Sequence, residues 1–239
     1  MKISRQKTIY IALLTVIAIL TVSFILSIIF PRKTQDEKSY YDMKCEAFAV
    51  ANTNLSDGQI IFLGDSITDL CPLDSYYSSL PLASYNRGIG GDTTEGVLAR
   101  LDISCKELSP SVVVLMIGTN DINGGRSTEA IKDSYSRILS SLHSDLADTK
   151  VICVSVIPMN KDIEKYSNLD ATKNTEKVKE LNAEIGNLAE RYNASYLNIF
   201  DSLTDDSGLL DTRYSDDGLH LNDRGFEVWA KLLLPLLEN

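Results

Sequence analysis

The feature of this sequence that most restricts its fold is a repeated alternation between short apolar runs and longer segments with helical spacing. Three of the five short runs are rich in β-branched residues and apolar on both alternating faces, which is typical of strands covered on both sides in a parallel sheet. The predicted strands are 59–64, 83–87, 112–117, 150–157 and 195–199. The predicted helices are 94–107, 127–147, 173–192 and 222–237, the last with Asn222 as its N-cap. This alternation predicts an α/β fold, a three-layer α/β/α sandwich around a five-stranded parallel sheet.

The amino terminus carries a run of 22 residues without a charge, "IYIALLTVIAILTVSFILSIIF" at 9–30. As a helix it would measure about 33 Å, enough to cross a hydrocarbon core of ~30 Å. A cleaved signal peptide has a shorter apolar core and a small-residue cleavage site, so the run favours one N-terminal transmembrane helix. We therefore expect a cytoplasmic tip and membrane anchor at 1–33, a linker and lead-in at 34–56, and an extracytoplasmic domain at 57–239. If the first segment is instead a signal sequence that is cleaved, the domain is secreted.

The charge balance excludes one class of partner. Residues 1–33 hold five basic and no acidic residues, which leaves 18 of the 23 basic residues against all 33 acidic ones in 34–239, a balance of −15. Such a field repels polyanions, so we expect no nucleic-acid partner.

The four cysteines, Cys45, Cys71, Cys105 and Cys153, form no C-x-x-C pair. A disulfide between two of them stays open at this point, although Cys153 lies in the apolar segment "VICVSVIP" and is interpreted as a buried small hydrophobe.

Polar, glycine-rich or titratable residues follow four of the five predicted strands. The first strand runs into "GDSITD", the second into "GIGGDTTEG", the third into "GTNDI", and the fifth leads through a loop to "DDGLHLN". Ligands of open α/β sheets bind beyond the carboxyl ends of the strands. We therefore expect a functional site at this end of the sheet, with Ser66 as a nucleophile candidate rather than only a turn residue.

A serine nucleophile needs a base, and the chain has only two histidines. His143 lies inside a predicted helix and is interpreted as a solvated residue. His220 precedes the last predicted helix, and Asp217 three residues earlier can orient its imidazole. Asn120 and the glycines of "GIGG" can supply donors to an oxyanion, although each has an ordinary reading as a helix cap or a turn.

Four short blocks occur in order: "GDS" at 64–66, "GIGGDT" at 88–93, "GTND" at 118–121 and "DDGLH" at 216–220. With these blocks the sequence resembles the SGNH hydrolases, also called GDSL esterases and lipases, over residues 57–237. Ile67 replaces the leucine that gives the family its second name. The segment "NRGIGGDTTEGVLARL" is most similar to the acetylhydrolase and carbohydrate-esterase side of the family. The resemblance implies the SGNH, flavodoxin-like arrangement of the sheet.

The resemblance implies an ester hydrolase with Ser66 as nucleophile, His220 as base and Asp217 as the orienting acid. It places the oxyanion hole at the Ser66 N–H, Gly91 and Asn120, with Gly91 preferred over Gly90. No metal or other cofactor is expected, because two histidines and scattered cysteines make no zinc site and Thr93 replaces the third glycine of a dinucleotide fingerprint.

The polar loop at 159–177 disfavours a deep pocket for long acyl chains. We therefore expect small acyl groups, acetyl on carbohydrate above all, as the substrate. A lysophospholipase or thioesterase, or an O-acyltransferase with the same triad, remains the alternative.

Overall fold

The structure, a computed structural model, describes residues 15–17, 19–22, 38–160 and 171–238. The chain divides into two units after Ser39. Among the residues that are described, no helix is both long enough and apolar enough to cross a membrane. Most of the apolar run 9–30 lies outside those residues, so the transmembrane anchor stays a prediction. The loop at 159–177 is described only in part, because 161–170 are outside the described residues, so the substrate expectation drawn from it also stays a prediction.

The second unit holds a five-stranded sheet in which every pairing is parallel. Its strands are β1 (Ile60–Gly64), β2 (Ser84–Gly88), β3 (Val112–Met116), β4 (Lys150–Val154) and β5 (Ser195–Leu197). They lie in the order β2-β1-β3-β4-β5, which is the flavodoxin-like order. All five strands were predicted from the sequence, and the parallel sheet is confirmed. The order reverses between β1 and β3, so the crevice for a ligand lies beyond the carboxyl end of β1.

The central strands divide their side chains between two cores, which gives the fold its three layers. Alternate residues of a strand point to opposite faces. In β1, Ile61 and Leu63 belong to one apolar cluster, whereas Ile60 and Phe62 belong to the other. Both faces of β1 are therefore fully buried, as its uninterrupted apolar sequence predicts.

Ten α-helices are described in this unit. They are α1 (Tyr40–Asn52), α2 (Ser66–Asp69), α3 (Leu73–Tyr77), α4 (Thr94–Ala99), α5 (Leu101–Ser104), α6 (Thr119–Asn123), α7 (Thr128–Asp145), α8 (Ala171–Arg191), α9 (Phe200–Leu203) and α10 (Asp223–Leu237). Helices α7 and α8 cover one face of the sheet, and α10 covers the other through Phe226, Trp229 and Leu233. The predicted cap of α10 is present, because the Asn222 side chain accepts a hydrogen bond from the Gly225 N–H.

Two differences from the sequence prediction concern the surroundings of Ser66. The predicted helix 94–107 is divided at Arg100 into α4 and α5, followed by a 3₁₀ turn at Lys106–Leu108. Helix α1 was not predicted, because Phe48 is its only buried residue and it has no apolar stripe for the sequence to display. The Phe48 ring lies under the guanidinium of Arg87, 4.7 Å from its centre, so α1 is held to the domain by this cation–π contact and by polar contacts more than by a core.

The four cysteines are free thiols. Three of them, Cys71, Cys105 and Cys153, are buried, which confirms the interpretation of Cys153 as a small apolar core residue. The structure holds no disulfide between any of the four.

Candidate active site

Ser66 stands at the carboxyl end of β1, where the chain turns into α2. Asp65 is the N-cap of that helix, and its carboxylate accepts a hydrogen bond from the Ile67 N–H at 3.0 Å. Gly64 makes the close turn possible, because a Cβ there would lie 2.3 Å from the Met116 carbonyl oxygen on β3. The strand, the cap and the glycine together fix the backbone that carries the serine at the sheet edge.

The imidazole of His220 joins Ser66 to Asp217. Its Nε2 lies 2.9 Å from the Ser66 Oγ, and its Nδ1 lies 2.8 Å from the Asp217 Oδ2. With Nδ1 protonated toward the carboxylate, Nε2 is left to accept the serine proton. Ser66 and His220 are 154 positions apart in the sequence, yet with Asp217 their side chains form one hydrogen-bonded chain.

The turn from Asp217 to His220 is organised around the carboxylate. Asp217 Oδ1 accepts hydrogen bonds from the N–H groups of Leu219 and His220, at 2.9 and 2.8 Å. Burial acts to raise the pKa of Asp217, but the hydrogen bonds from the His220 side chain and from the two N–H groups outweigh burial and hold the pKa below its ordinary value. Asp217 is therefore an anion at neutral pH, able to stabilise a protonated imidazole.

The second strand brings its glycine loop against the nucleophile. A Cβ placed on Gly90 would lie 4.0 Å from the Ser66 Cβ. Gly91, the next residue, has a φ of +80°, and no described atom lies within 4 Å of the point where its Cβ would sit. The positive φ favours glycine, and Gly91 is exposed, so a substrate oxygen can reach its backbone.

Asn120 lies in the first turn of α6, directly after β3. Its carboxamide nitrogen donates one hydrogen bond, at 2.8 Å, to the carbonyl oxygen of Asp92, the residue after Gly91. A carboxamide nitrogen has two hydrogens, so the second is available to a ligand. The structure thus links Asn120 to the loop of Gly91.

The second histidine of the chain, His143, is exposed near the end of α7, where its ring contacts Tyr192.

Arg100 is a buried residue that supports the candidate site, and it was not identified from the sequence. Its guanidinium donates to the Asp92 carboxylate at 2.7 Å, and to the carbonyl oxygens of Gly64 and Arg87 at 2.9 Å each. Arg100 is 2% exposed, so its charge is balanced inside the protein by Asp92. This one side chain ties together the ends of β1 and β2 and the loop that binds Asn120. Its position inside the predicted helix 94–107 gave no sign of burial.

Asp65 is a second buried carboxyl group at the site. It is 0% exposed, and burial raises its pKa to about 7, with a partial opposing effect of the Ile67 hydrogen bond and further increases from the nearby carboxylates of Asp92 and Asp121. Its Oδ2 has no hydrogen-bond partner among the described residues.

Among the described residues there is no group of three or more histidine, cysteine, aspartate or glutamate side chains that could hold a metal ion.

Comparison with known proteins relates this arrangement to one family. Residues 62–228 match the model described as the GDSL-like Lipase/Acylhydrolase family. Platelet-activating factor acetylhydrolase IB subunit alpha2 of Rattus norvegicus is 30% identical over 182 residues, 75% of this chain and 74% of that protein. A solved structure from Streptococcus pneumonia, provisionally described as a platelet activating factor, is 28% identical with a TM-score of 0.76 and is matched over 83% of this chain and 92% of its own.

A further solved structure has lower sequence identity. It comes from Bacteroides fragilis NCTC 9343 and is provisionally described as an acylhydrolase. It is 23% identical with a TM-score of 0.73, over 84% of this chain and 98% of its own. At that identity the likeness concerns the fold alone.

Proposed function

The chain belongs to the GDSL-like lipase/acylhydrolase family and is a carboxylic ester hydrolase, and from this premise we propose that it removes small acyl groups through Ser66, His220 and Asp217. The observation that carries the proposal is the position of the His220 imidazole, which is hydrogen-bonded to the Ser66 hydroxyl on one side and to the Asp217 carboxylate on the other. This is the arrangement that a serine nucleophile needs to lose its proton during attack.

In the first half of the reaction, the Ser66 Oγ attacks the carbonyl carbon of the ester while His220 Nε2 takes the hydroxyl proton. Asp217 stabilises the positive charge that forms on the imidazole. The tetrahedral intermediate then collapses, the bond to the alcohol oxygen breaks, and His220 gives its proton to the departing alcohol. The product of this half is an acyl group on Ser66 and a free alcohol.

In the second half, water takes the place of the alcohol. His220 removes a proton from the water as its oxygen attacks the acyl carbon, and the second tetrahedral intermediate releases the carboxylic acid and restores the Ser66 hydroxyl. In both halves the negative carbonyl oxygen accepts hydrogen bonds from the N–H groups of Ser66 and Gly91 and from the Asn120 carboxamide. Such preorganised donors stabilise the charge as it develops.

For the acyl group we propose acetyl. The support is that the curated relative named above, which is 30% identical, is an acetylhydrolase by name. For the alcohol we propose a carbohydrate, because the rim near Ser66 is polar: Lys44 and Asp69 form a partly exposed ion pair there, and the ring of Tyr40 is half-exposed. Charged groups and an aromatic ring suit an alcohol that is rich in hydroxyl groups better than one that is a hydrocarbon.

Action on a lipid ester is the second candidate. Leu70 follows Asp69 and is 57% exposed, and Met43 on α1 is 51% exposed. Exposed apolar side chains such as these can contact acyl chains. An O-acyltransferase differs only in the acceptor, because a sugar hydroxyl would replace water in the second half of the same reaction.

The test is a chain-length series of aryl esters, from acetate to octanoate, beside acetylated sugars, assayed with the wild type, Ser66→Ala and Ser79→Ala. Ser79 is exposed, so its variant controls for the loss of one hydroxyl. We expect acetate esters to react fastest, Ser79→Ala to be unaffected, and Ser66→Ala to keep its fold and lose turnover. Esterase activity in a folded, pure Ser66→Ala protein would contradict the mechanism. Faster cleavage of octanoate than of acetate would favour the lipid candidate, and acyl transfer to added sugar in place of free acid would favour the transferase.

A further inference from the structure

Helix α1 lies beside the candidate active site although it is outside the 62–228 span that matches the family model. A Cβ placed on Gly90 would lie 3.6 Å from Cε1 of the Tyr40 ring and 4.0 Å from the Ser66 Cβ. The ring and the serine are thus separated by at most the sum of these two distances. The first turns of α1 form part of the wall of the entrance.

Two side chains of α1 bind the carboxylate of Asp69, at the end of α2. The Tyr40 hydroxyl donates to Asp69 Oδ2 at 2.7 Å, and the Lys44 ammonium donates to Oδ1 at 2.7 Å. The same Oδ2 accepts a hydrogen bond from the Gly90 N–H at 3.2 Å. Asp69 therefore connects α1 to Gly90, the residue before Gly91. The hydrogen bond to Asp69 is also the main reason that the pKa of Tyr40 is raised, so its hydroxyl stays a donor.

The position of Asp69 creates an electrostatic problem for the proposed reaction. The intermediate carries a negative oxygen beside Gly91, and a second negative charge one residue away repels it. Two like charges roughly 8 Å apart, in an effective dielectric between that of a protein surface and that of water, repel each other enough to lower a rate about tenfold. The Lys44 ammonium in direct contact with the carboxylate cancels that field, because the two opposite charges then act as a pair.

We propose that Lys44 and Tyr40 are positioning residues that hold the Asp69 carboxylate on the Gly90 N–H and neutralise its charge, so that the Gly91 donor stays in place beside the oxyanion. This inference rests on the proposed function, and it extends the active site to a helix outside the family match. It assigns a role in the chemical step rather than in substrate affinity, because none of the three side chains needs to touch the substrate for it.

A double-mutant cycle tests this coupling. We would measure kcat and KM with an aryl acetate for the wild type, Lys44→Met, Asp69→Asn and the double variant, with Val50→Ala as the control. Val50 is 68% exposed on the same helix. Lys44→Met should lower kcat about tenfold with little change in KM, since it leaves the carboxylate without its counter-charge. In the Asp69→Asn background, where the charge is absent and an acceptor for the Gly90 N–H remains, Lys44→Met should change kcat by less than about twofold.

Other outcomes overturn the inference. An equal fall in kcat from Lys44→Met in both backgrounds means that Lys44 does not act through the charge of Asp69, and an unchanged kcat in the wild-type background means that it does not act at all. Should Lys44→Met fail to fold, as a thermal melt would reveal, Tyr40→Phe gives a second test. It removes one hydrogen bond and keeps the ring, and an unchanged kcat would contradict the role of Tyr40. If Ser66→Ala is inactive while the cycle shows no coupling, only this inference fails and the proposed function stands.

Discussion

Replacing Asp65 by asparagine should change how the stability of the protein depends on pH. The Asp65 carboxyl group is fully buried, and burial raises its pKa to about 7. Asparagine has nearly the same shape and its oxygen can still accept from the Ile67 N–H, which caps α2. The substitution therefore removes a titrating group and leaves the geometry of the turn before Ser66.

The direction and size of this change in stability follow from the linkage between protonation and folding. An aspartate in the unfolded chain has a pKa of about 3.9, so between pH 4 and 7 the folded state binds more protons at Asp65 than the unfolded state does. Stability therefore falls as pH rises through this window. At about 1.4 kcal/mol per pH unit, the raised pKa of Asp65 lowers the free energy of unfolding by about 1–2 kcal/mol at pH 5 and by about 4 kcal/mol at pH 8, relative to a group that stays neutral in both states. Relative to the wild type, Asp65→Asn should gain about 2–3 kcal/mol of stability between those two pH values.

The assay is urea unfolding of both proteins at pH 5, 6, 7 and 8. The fluorescence of Trp229, the single tryptophan, reports unfolding because its side chain is fully buried. Asp74→Asn, at an exposed position, is the matched control for removal of one carboxylate. A difference between the wild type and Asp65→Asn that stays constant to within about 0.5 kcal/mol from pH 5 to pH 8 would refute the argument, since a group with a raised pKa must change the free energy of unfolding across that range.

Two further substitutions test the remaining parts of the site. Asn120→Ala should lower kcat about 10²- to 10³-fold, the usual effect of losing one oxyanion donor, whereas Asn187→Ala, on α8, should leave kcat unchanged; equal kcat values for the two would place Asn120 outside the reaction. Arg100→Met should reduce the free energy of unfolding by about 3–5 kcal/mol, because it leaves the Asp92 carboxylate buried without its counter-charge; a loss below about 1 kcal/mol in a urea titration would mean that water or another cation replaces the guanidinium.

The parts of the fold that the sequence could predict are those governed by burial. Strands β1 and β3 are apolar at nearly every position and are buried on both faces, so their pattern was decisive. Helix α1 gave no such signal, because only Phe48 of its residues is buried. Its contacts are polar and long-range, from Tyr40 and Lys44 to Asp69, and periodicity cannot reveal pairings of this kind.

The candidate site also contains residues that could be predicted from the sequence and one that could not. The positions of Ser66, Asn120 and His220 at strand ends and before a helix were sufficient to propose one site, and the side chains of Ser66 and His220 lie in contact. Their chemical roles remain predictions. Arg100 could not be found, because a charged residue inside an amphipathic segment is normally solvated, and only the three-dimensional arrangement shows the carbonyl groups that receive it.

The hydrogen bond between Ser66 and His220 joins the first strand to the turn before the last helix. A growing polypeptide thus contains its nucleophile early but lacks the base until nearly the whole domain has left the ribosome. We expect hydrolysis to begin only when α10 docks, so that recovered turnover after dilution from denaturant follows the slowest, global step of refolding rather than any local one. Two fragments cut between β4 and β5 would each be inert, and catalysis on mixing them would measure their reassembly.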